Sequence, residues 1–529
     1  MEKRFLLAFL LSFSVLFLWS ALFPPPKPAH KPQPVVNNED INDSRPVVDQ
    51  ALSSPPSPLP TVQEIPVETK RLENDKLIAE ISSQGGSLQQ VIIKDYGAQL
   101  PVSDIMAIAG YENAHFRVSE FTDEAISLVY EDQDIRITKE YFLADSGYLM
   151  EARIKWRNLR EMSNLKEIKA FTLDISRLDK SSKAEQEKRL FEYAVISSGK
   201  TFRKENASKF HSNEQRDLTG VDPILGFRDR YFCIGIKPEF KTDKIQVIPV
   251  NEEVLTLSMH INESDVPREA GIGAKIFFGP QKYDLMKSYE LGFEQLMVFS
   301  SWRWLDAISK AINSMINLSY KFIPNWGVAI ILVSLLIYLA LYPLTLSGMS
   351  SMKKIQFLQP KINALREQYK ANPQRLNKEI MELYKENKVN PFGGCLPLFL
   401  QMPIFFGLYQ VLWRSVSFKG AHFLWIKDLS EPDRLVVFSS SLPLVGNELN
   451  ILPILMMVIM FVQQKLSTKN MVTTDPSQAA QQKMMVMIMP PMMGILFYKF
   501  ASGLTLYFTI FYLMSTLTQF KMSKMTKAS

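Results

Sequence analysis

The sequence predicts a polytopic α-helical membrane protein with a large β-rich domain placed between its first and second membrane segments. Three observations predict it. From residue 325 onward the 529-residue chain is dominated by apolar runs, several long enough to cross a bilayer as helices. Between residues 67 and 299 apolar and polar residues alternate instead, the period of a strand with one buried face. The basic residues collect beside the apolar runs on one set of connecting loops, as the positive-inside rule requires. The mean hydropathy of −0.03 averages these two halves and hides both. A net charge of +6 placed beside membrane segments gives no sign of direct nucleic-acid specificity.

Glu2, Lys3 and Arg4 precede an apolar run from Phe5 to Phe23. Trp19-Ser20-Ala21-Leu22-Phe23 offers no pair of small residues for signal cleavage, so residues 1–23 read as an uncleaved transmembrane anchor with a cytoplasmic N-terminus. Residues 24–66 are rich in Pro, Ser, Asn and Gln and read as a disordered linker.

In the domain 67–299, Tyr148, Met150, Ala152, Ile154 and Trp156 alternate with Leu149, Glu151, Arg153, Lys155 and Arg157. Similar runs occur at 77–81, 126–130, 135–141, 245–248 and 254–257, and Gly85-Gly86 marks a turn. Many strands and few helical stretches suggest a β-sandwich. The five histidines (30, 115, 211, 260 and 422) make no metal-ligand spacing, and no Gly-rich loop precedes a lysine as a phosphate cradle would. A binding or spacing domain without catalysis is expected, with no cofactor. Cys233 and Cys395 fall on opposite sides of the membrane in this topology, so no disulfide is expected.

Residues 300–322 form an amphipathic helix. Leu305, Ile308, Ile312, Met315 and Phe322 share one side, and Arg303, Asp306, Lys310, Asn313, Asn317 and Lys321 the other. Trp302 and Trp304 open it, and its place before a membrane segment predicts an interfacial helix. The second span, 325–346, carries Ser334, Tyr338 and Tyr342 four apart on one face. A helix bordering a wet groove has a use for that stripe.

Residues 350–390 hold nine lysines and arginines against four glutamates. Three–four spacing of Ile355, Leu358, Ile362 and Leu365, a break at Asn372-Pro373, and resumption at Leu376, Ile380 and Leu383 predict a cytoplasmic helical hairpin. Its Lys353, Lys354, Lys361, Arg366 and Arg375 serve membrane-surface contact, or recruit a ribosome or targeting factor.

The third span, 391–416, contains Pro397, Pro403 and a polar residue at membrane depth, Gln401. Residues 417–450 lack a positive excess and read as a short outer loop. Spans at 451–466, 484–500 and 504–520 follow, with a cytoplasmic loop at 467–483 and a basic cytoplasmic tail at 521–529. The count is six spans with both termini inside. The last span carries Thr505, Thr509, Tyr512, Thr516 and Gln519 on one face. Such a stripe serves either interhelical packing or a partly hydrated cavity.

Asn325-Trp326-Gly327, Tyr342-Pro343-Leu344-Thr345, Leu358-Gln359-Pro360-Lys361, the run Asn390 to Pro397, Gln401-Met402-Pro403-Ile404-Phe405, Trp425-Ile426-Lys427-Asp428-Leu429 and Ser502-Gly503-Leu504 together resemble the YidC family of membrane protein insertases. The resemblance covers essentially the whole chain. It implies a five-helix insertase core plus an N-terminal anchor helix, with a large periplasmic β-supersandwich domain, in a Gram-negative bacterial inner membrane. It implies insertion and folding of membrane proteins, alone or beside the Sec translocon, and no enzymatic activity. Its partners would be nascent membrane proteins and membrane lipids.

The family carries an arginine in its second transmembrane helix, facing a groove. The matching position here is Tyr338. The expected groove is therefore polar but uncharged, formed by Ser334, Tyr338, Tyr342, Gln401, Thr505, Thr509, Tyr512 and Thr516, and it would tolerate an arginine at 338. An alternative is a secondary transporter or channel, against which stands the lack of an intramembrane acid for proton coupling. A tethered periplasmic carbohydrate enzyme would leave five further spans unexplained, and it would lose all activity without the outer domain. An insertase is expected to keep much of its activity on that deletion.

Overall fold

A computed structural model describes residues 67–528, apart from 160–166, 178–187, 189, 199, 205–206, 208, 262–268, 301, 371, 391–395, 443–445 and 469–475. The anchor, the linker and Cys395 lie outside the described residues.

The strand periodicity sorts side chains as expected. In the strand Leu149–Asn158, Met150, Ala152, Ile154 and Trp156 are at most 2% exposed. This strand pairs antiparallel with Ile135–Leu143 on one side and Glu269–Pro280 on the other. They sit in a nine-stranded sheet running from Lys200–Lys204 to Arg117–Phe121. A six-stranded sheet includes Thr242–Pro249, Val254–Ile261 and Glu167–Asp174. A four-stranded sheet begins the domain, and its strands Leu77–Ser82 and Leu88–Ile93 meet at Gly85 and Gly86. Both glycines have positive φ (68° and 52°), a conformation that glycine adopts without penalty. The sheets share one continuous apolar core.

A lysine lies inside that core. Lys139 is fully buried, and its Nζ donates to Gly85 O (2.8 Å) and Met106 O (3.0 Å). It therefore pins the Gly85-Gly86 turn to the strand Ile135–Leu143. Burial pushes its pKa down to about 7, against the opposing pull of Glu112 and Asp104. In the folded domain the amine releases its proton near pH 7, whereas the unfolded chain holds it to about pH 10.4. The unfolded state binds more protons in that window, so stability rises with pH there, by at most about 1.4 kcal/mol per pH unit. Unfolding of the β domain is expected to shift upward from pH 7 to 9, and Lys139→Met should flatten that rise. Parallel pH profiles for the two proteins would contradict it.

Helix α1 (Tyr283–Ser288) closes the β domain, and α2 (Arg303–Phe322) follows. The buried face of α2 is Leu305, Ser309, Ile312, Asn313 and Ile316. This differs from the expected face: Asn313 turns inward and Phe322 is 79% exposed. The reason is a packing partner. Helix α2 rests on α3 (Trp326–Gln368) and α5 (Leu396–Arg414), where Gly407 leaves room. A Cβ at Gly407 would lie 3.0 Å from Ile308. Trp302 and Trp304 remain exposed and stack at 6.0 Å.

Helix α3 is one unbroken helix that runs on from the second span through the first arm of the expected hairpin. Asn325 caps it, accepting from Val328 N at 3.0 Å. Among the described residues, Trp326–Ile355 combines membrane-spanning length with high hydropathy, while Ile451–Ser467 and Val486–Phe497 are apolar but shorter. Asn372 caps α4 (Pro373–Glu386), with Pro373 in its first turn. Helices α6 (Ile451–Thr468), α7 (Pro476–Phe497) and α8 (Ser502–Ala528) complete the bundle. Helix α8 packs on α6, α3 and α5, and α7 packs on α6.

The loop 417–450 explains two of the sequence motifs. Gly327 faces Phe423 so closely that a Cβ would sit 2.1 Å from its ring. Gly503 N donates to Leu429 O, and Ser502 N to Glu431 O, so the loop caps the start of α8. The β domain joins the same loop through Arg230. Its Nε donates to Trp413 O (2.8 Å) and its Nη2 to Ser430 O (3.1 Å).

Candidate functional site

Helices α3, α5, α6, α7 and α8 enclose a cavity of about 520 Å³. Helical spacing builds each wall. Thr345, Met349, Met352 and Lys353 come from one face of α3, Gln401 and Phe405 from α5, and Phe508, Tyr512, Ser515 and Gln519 from α8. Gln463 and Ser467 of α6 add polar groups, and Met493 and Phe497 of α7 add apolar ones. Methionine walls adapt to varied shapes because the side chain is unbranched and polarizable.

The polar groups are unevenly satisfied. Gln463 Nε2 donates to Ser515 Oγ at 2.8 Å. Gln401 is 7% exposed, and its Nε2 donates to the hydroxyl of Tyr507. Its carbonyl oxygen, buried in the cavity wall, has no hydrogen-bond partner. Leaving such an acceptor unmet costs about 1–3 kcal/mol.

Of the eight residues read as a groove, the structure brings Gln401 and Tyr512 into the cavity wall. The others go elsewhere. Tyr338 is 1% exposed, its hydroxyl bonded to Thr518 Oγ1 at 2.7 Å and its ring against Phe511. Ser334 donates to Ile330 O at 2.6 Å, and Thr509 to Thr505 O at 2.7 Å. Thr505 donates to Ala501 O, and Thr516 to Tyr512 O at 2.7 Å. These hydroxyls are satisfied by the carbonyl four residues back on their own helix, so they call for no water. Tyr342 is half-buried beside Tyr338 and outside the cavity lining.

The expectation of an uncharged cavity also changes. Lys353, half-buried, lines it, and its described lining residues include no carboxylate. The charge pattern of the sequence grouped Lys353 with the exposed basic face. The unbroken helix instead carries it back to the cavity, one residue from Met352. Lys354, Lys361 and Arg375 are exposed, with Arg375 3.7 Å from Glu379, and Arg366 is half-buried. Sequence reasoning missed Lys353, Gln463 and Ser515 as cavity residues. A three–four count continued past residue 350 is the signal that places Lys353 on the face of Thr345 and Met349.

Burial at 338 sets a prediction. Tyr338→Phe should cost about 1 kcal/mol, because Thr518 keeps its bond to Met514 O. Tyr338→Arg, expected from the sequence to be tolerated, should cost at least about 2.5–3.5 kcal/mol at this dry-packed position. Yield and thermal stability of the two variants in detergent check it. An arginine variant as stable as the parent would return Tyr338 to the cavity wall.

Comparison with known proteins covers both halves of the chain. A family model described as "60Kd inner membrane protein" matches residues 318–529, and one described as "YidC periplasmic domain" matches residues 110–314. The membrane protein insertase YidC of Pelodictyon phaeoclathratiforme is 34% identical over 334 residues, 61% of this chain and 56% of the relative. At that identity the chain thus spans little more than half of the relative's length. The membrane protein insertase YidC of Geobacter metallireducens is 29% identical over 576 residues, covering 100% of this chain and 99% of the relative. A crystal structure described as an active YidC insertase with its first transmembrane domain resolved is 18% identical. It matches over 86% of this chain and 94% of its own, with a TM-score of 0.37.

Proposed function

We propose that the chain is a membrane protein insertase of the YidC type and that its cavity receives the hydrophilic part of a membrane protein during insertion. The observation that carries this reading is a cavity within the helix bundle whose wall brings together Gln401, Gln463, Ser515 and Gln519. A polar segment in hydrocarbon leaves its backbone groups unsatisfied at a cost of several kcal/mol each. The cavity offers those groups partners and shortens the apolar path. The apolar segment of the substrate then leaves sideways into lipid, driven by burial of its own surface. No chemical step is needed, and the family is one of insertases rather than enzymes.

The topology that fits is six spans in a bacterial inner membrane, a five-helix core plus the anchor, with both termini cytoplasmic. The β domain, a supersandwich, is periplasmic. Lys353 lies 27 residues along α3 from Trp326, about 40 Å at about 1.5 Å per residue, so it reaches the cytoplasmic surface of the bilayer. The cavity thus opens toward the side from which nascent membrane proteins arrive. The exposed Lys354, Lys361 and Arg375 suit recruitment of a ribosome or targeting factor, and the Sec translocon is a further partner of this reading.

Reconstitution tests it. The purified chain in vesicles should insert a single-span protein without nucleotide, and vesicles lacking it should not. The hairpin separates recruitment from insertion. Leu358, Ile362 and Val389 form a small core of their own, apart from the main one. Deleting 356–389 should leave the thermal stability of the bundle intact while lowering insertion of ribosome-bound chains several-fold. A bundle that melts with the deletion would make the hairpin structural.

A further inference from the structure

We propose that the hairpin of strands Val436–Leu442 and Gly446–Leu449 is a lipid-binding surface, lying in the headgroup layer beside the start of α6. This inference rests on the membrane topology proposed above. The two strands make a sheet of their own. A two-stranded hairpin by itself is marginally stable in water. Exposed strand edges are commonly protected by charged side chains, and this hairpin lacks them. Residues 435–447 include no Asp, Glu, Lys or Arg, and they open with the run Leu435-Val436-Val437-Phe438. Leu435, Val436 and Val437 are exposed. An apolar patch of this kind marks a surface that something else covers.

Two features make a bilayer the cover. The first is continuity with α6. Val436 pairs with Leu449, and α6 starts two residues later at Ile451. Ile451, Ile454, Leu455 and Val458 are exposed at three–four spacing, the stripe by which α6 faces lipid. The second is the way the base of the hairpin is fixed. Asp433 Oδ2 caps α6, accepting from Ile451 N (2.9 Å) and Leu452 N (3.0 Å). Asn450 Oδ1 accepts from Arg434 N at 2.9 Å. The hairpin is thus held at the level where α6 enters the membrane. Arg434 lies 3.4 Å from Glu431 and 2.9 Å from Glu448, so the charges gather at the base. Open strand edges do not occur in hydrocarbon, where their backbone groups go unmet. In the headgroup layer water reaches those edges while the valines meet the acyl boundary.

Site-specific fluorescence tests it. The full chain, with Cys233 and Cys395 replaced by Ala, carries one environment-sensitive fluorophore on Val437→Cys, Val250→Cys or Val458→Cys. It is reconstituted in vesicles of phosphatidylcholine and phosphatidylglycerol. Val250 follows the strand Thr242–Pro249 in the β domain and is 62% exposed, the same as Val437. Nitroxide-labelled phosphatidylcholine should quench position 437 at least about twofold more than position 250, and aqueous iodide should show the reverse order. Position 458 should be quenched by the lipid. Iodide quenching at 437 equal to that at 250 would put the hairpin in water and overturn the proposal. Shielding of 437 from both quenchers would mean that a second copy of the chain covers it, and would likewise overturn it. A position 458 beyond the reach of the lipid nitroxide would overturn the topology itself, and this inference with it.

Discussion

Arg230→Ala is expected to lower the unfolding midpoint of the whole described assembly, by about 2–4 kcal/mol of stability. Arg230 is 6% exposed and stands in the turn between the strands Ile224–Arg228 and Phe232–Pro238. Its guanidinium lies 4.2 Å from the ring centroid of Trp413 and 4.6 Å from that of Tyr231. Its hydrogen bond to Trp413 O meets one of the last carbonyls of α5, which have no partner within the helix. A cation there also complements the negative end of the helix dipole. Ser430 O and Glu431, at 3.7 Å, tie it to the loop 417–450. Removing it leaves the carbonyls of Trp413 and Ser430 without this donor and takes the cation away from the rings of Trp413 and Tyr231. Arg230→Lys should recover part of the loss, since an ammonium keeps the charge but not the planar fork. Chemical unfolding in detergent is the measurement, and an unchanged midpoint for the alanine variant would deny the contact any role.

Ser515→Phe should abolish most insertion while leaving the fold standing. Ser515 is 4% exposed and projects into a cavity with room for a phenyl ring. The variant gives up the bond from Gln463, about 1 kcal/mol, and gains buried apolar area that offsets it. Stability should therefore stay near that of the parent, whereas insertion in reconstituted vesicles falls at least about tenfold. Unimpaired insertion by a filled cavity would place the substrate path elsewhere.

Local chemistry was legible in the sequence. The period of two along 148–157, the turn at Gly85-Gly86 and the cap at Asn372 depend on neighbours a few residues away, and each occurs where the pattern put it. The stripes of Ser334, Thr505, Thr509 and Thr516 were real but misleading. A hydroxyl in a helix can bond the carbonyl four residues back, so polar spacing alone does not distinguish a wet face from a dry one. Contacts between distant segments had no local signal at all. Arg230 meets Trp413 and Ser430 across 183 and 200 residues. The same holds for the cavity, where side chains from five helices converge. Gln401 kept its place because an amide cannot fully satisfy itself on its own helix. Lys353 joins the cavity wall because α3 continues past the second span without a break.

A photoreactive amino acid at Tyr512, compared with one at Leu517, tests the cavity most directly. Both positions lie on α8, but Tyr512 lines the cavity and Leu517 is 55% exposed on the outside of the bundle. During synthesis of a single-span membrane protein, position 512 should crosslink to the hydrophilic tail of the nascent chain, and position 517 should remain at background. Tail adducts from 517 with none from 512 would contradict insertion through this cavity.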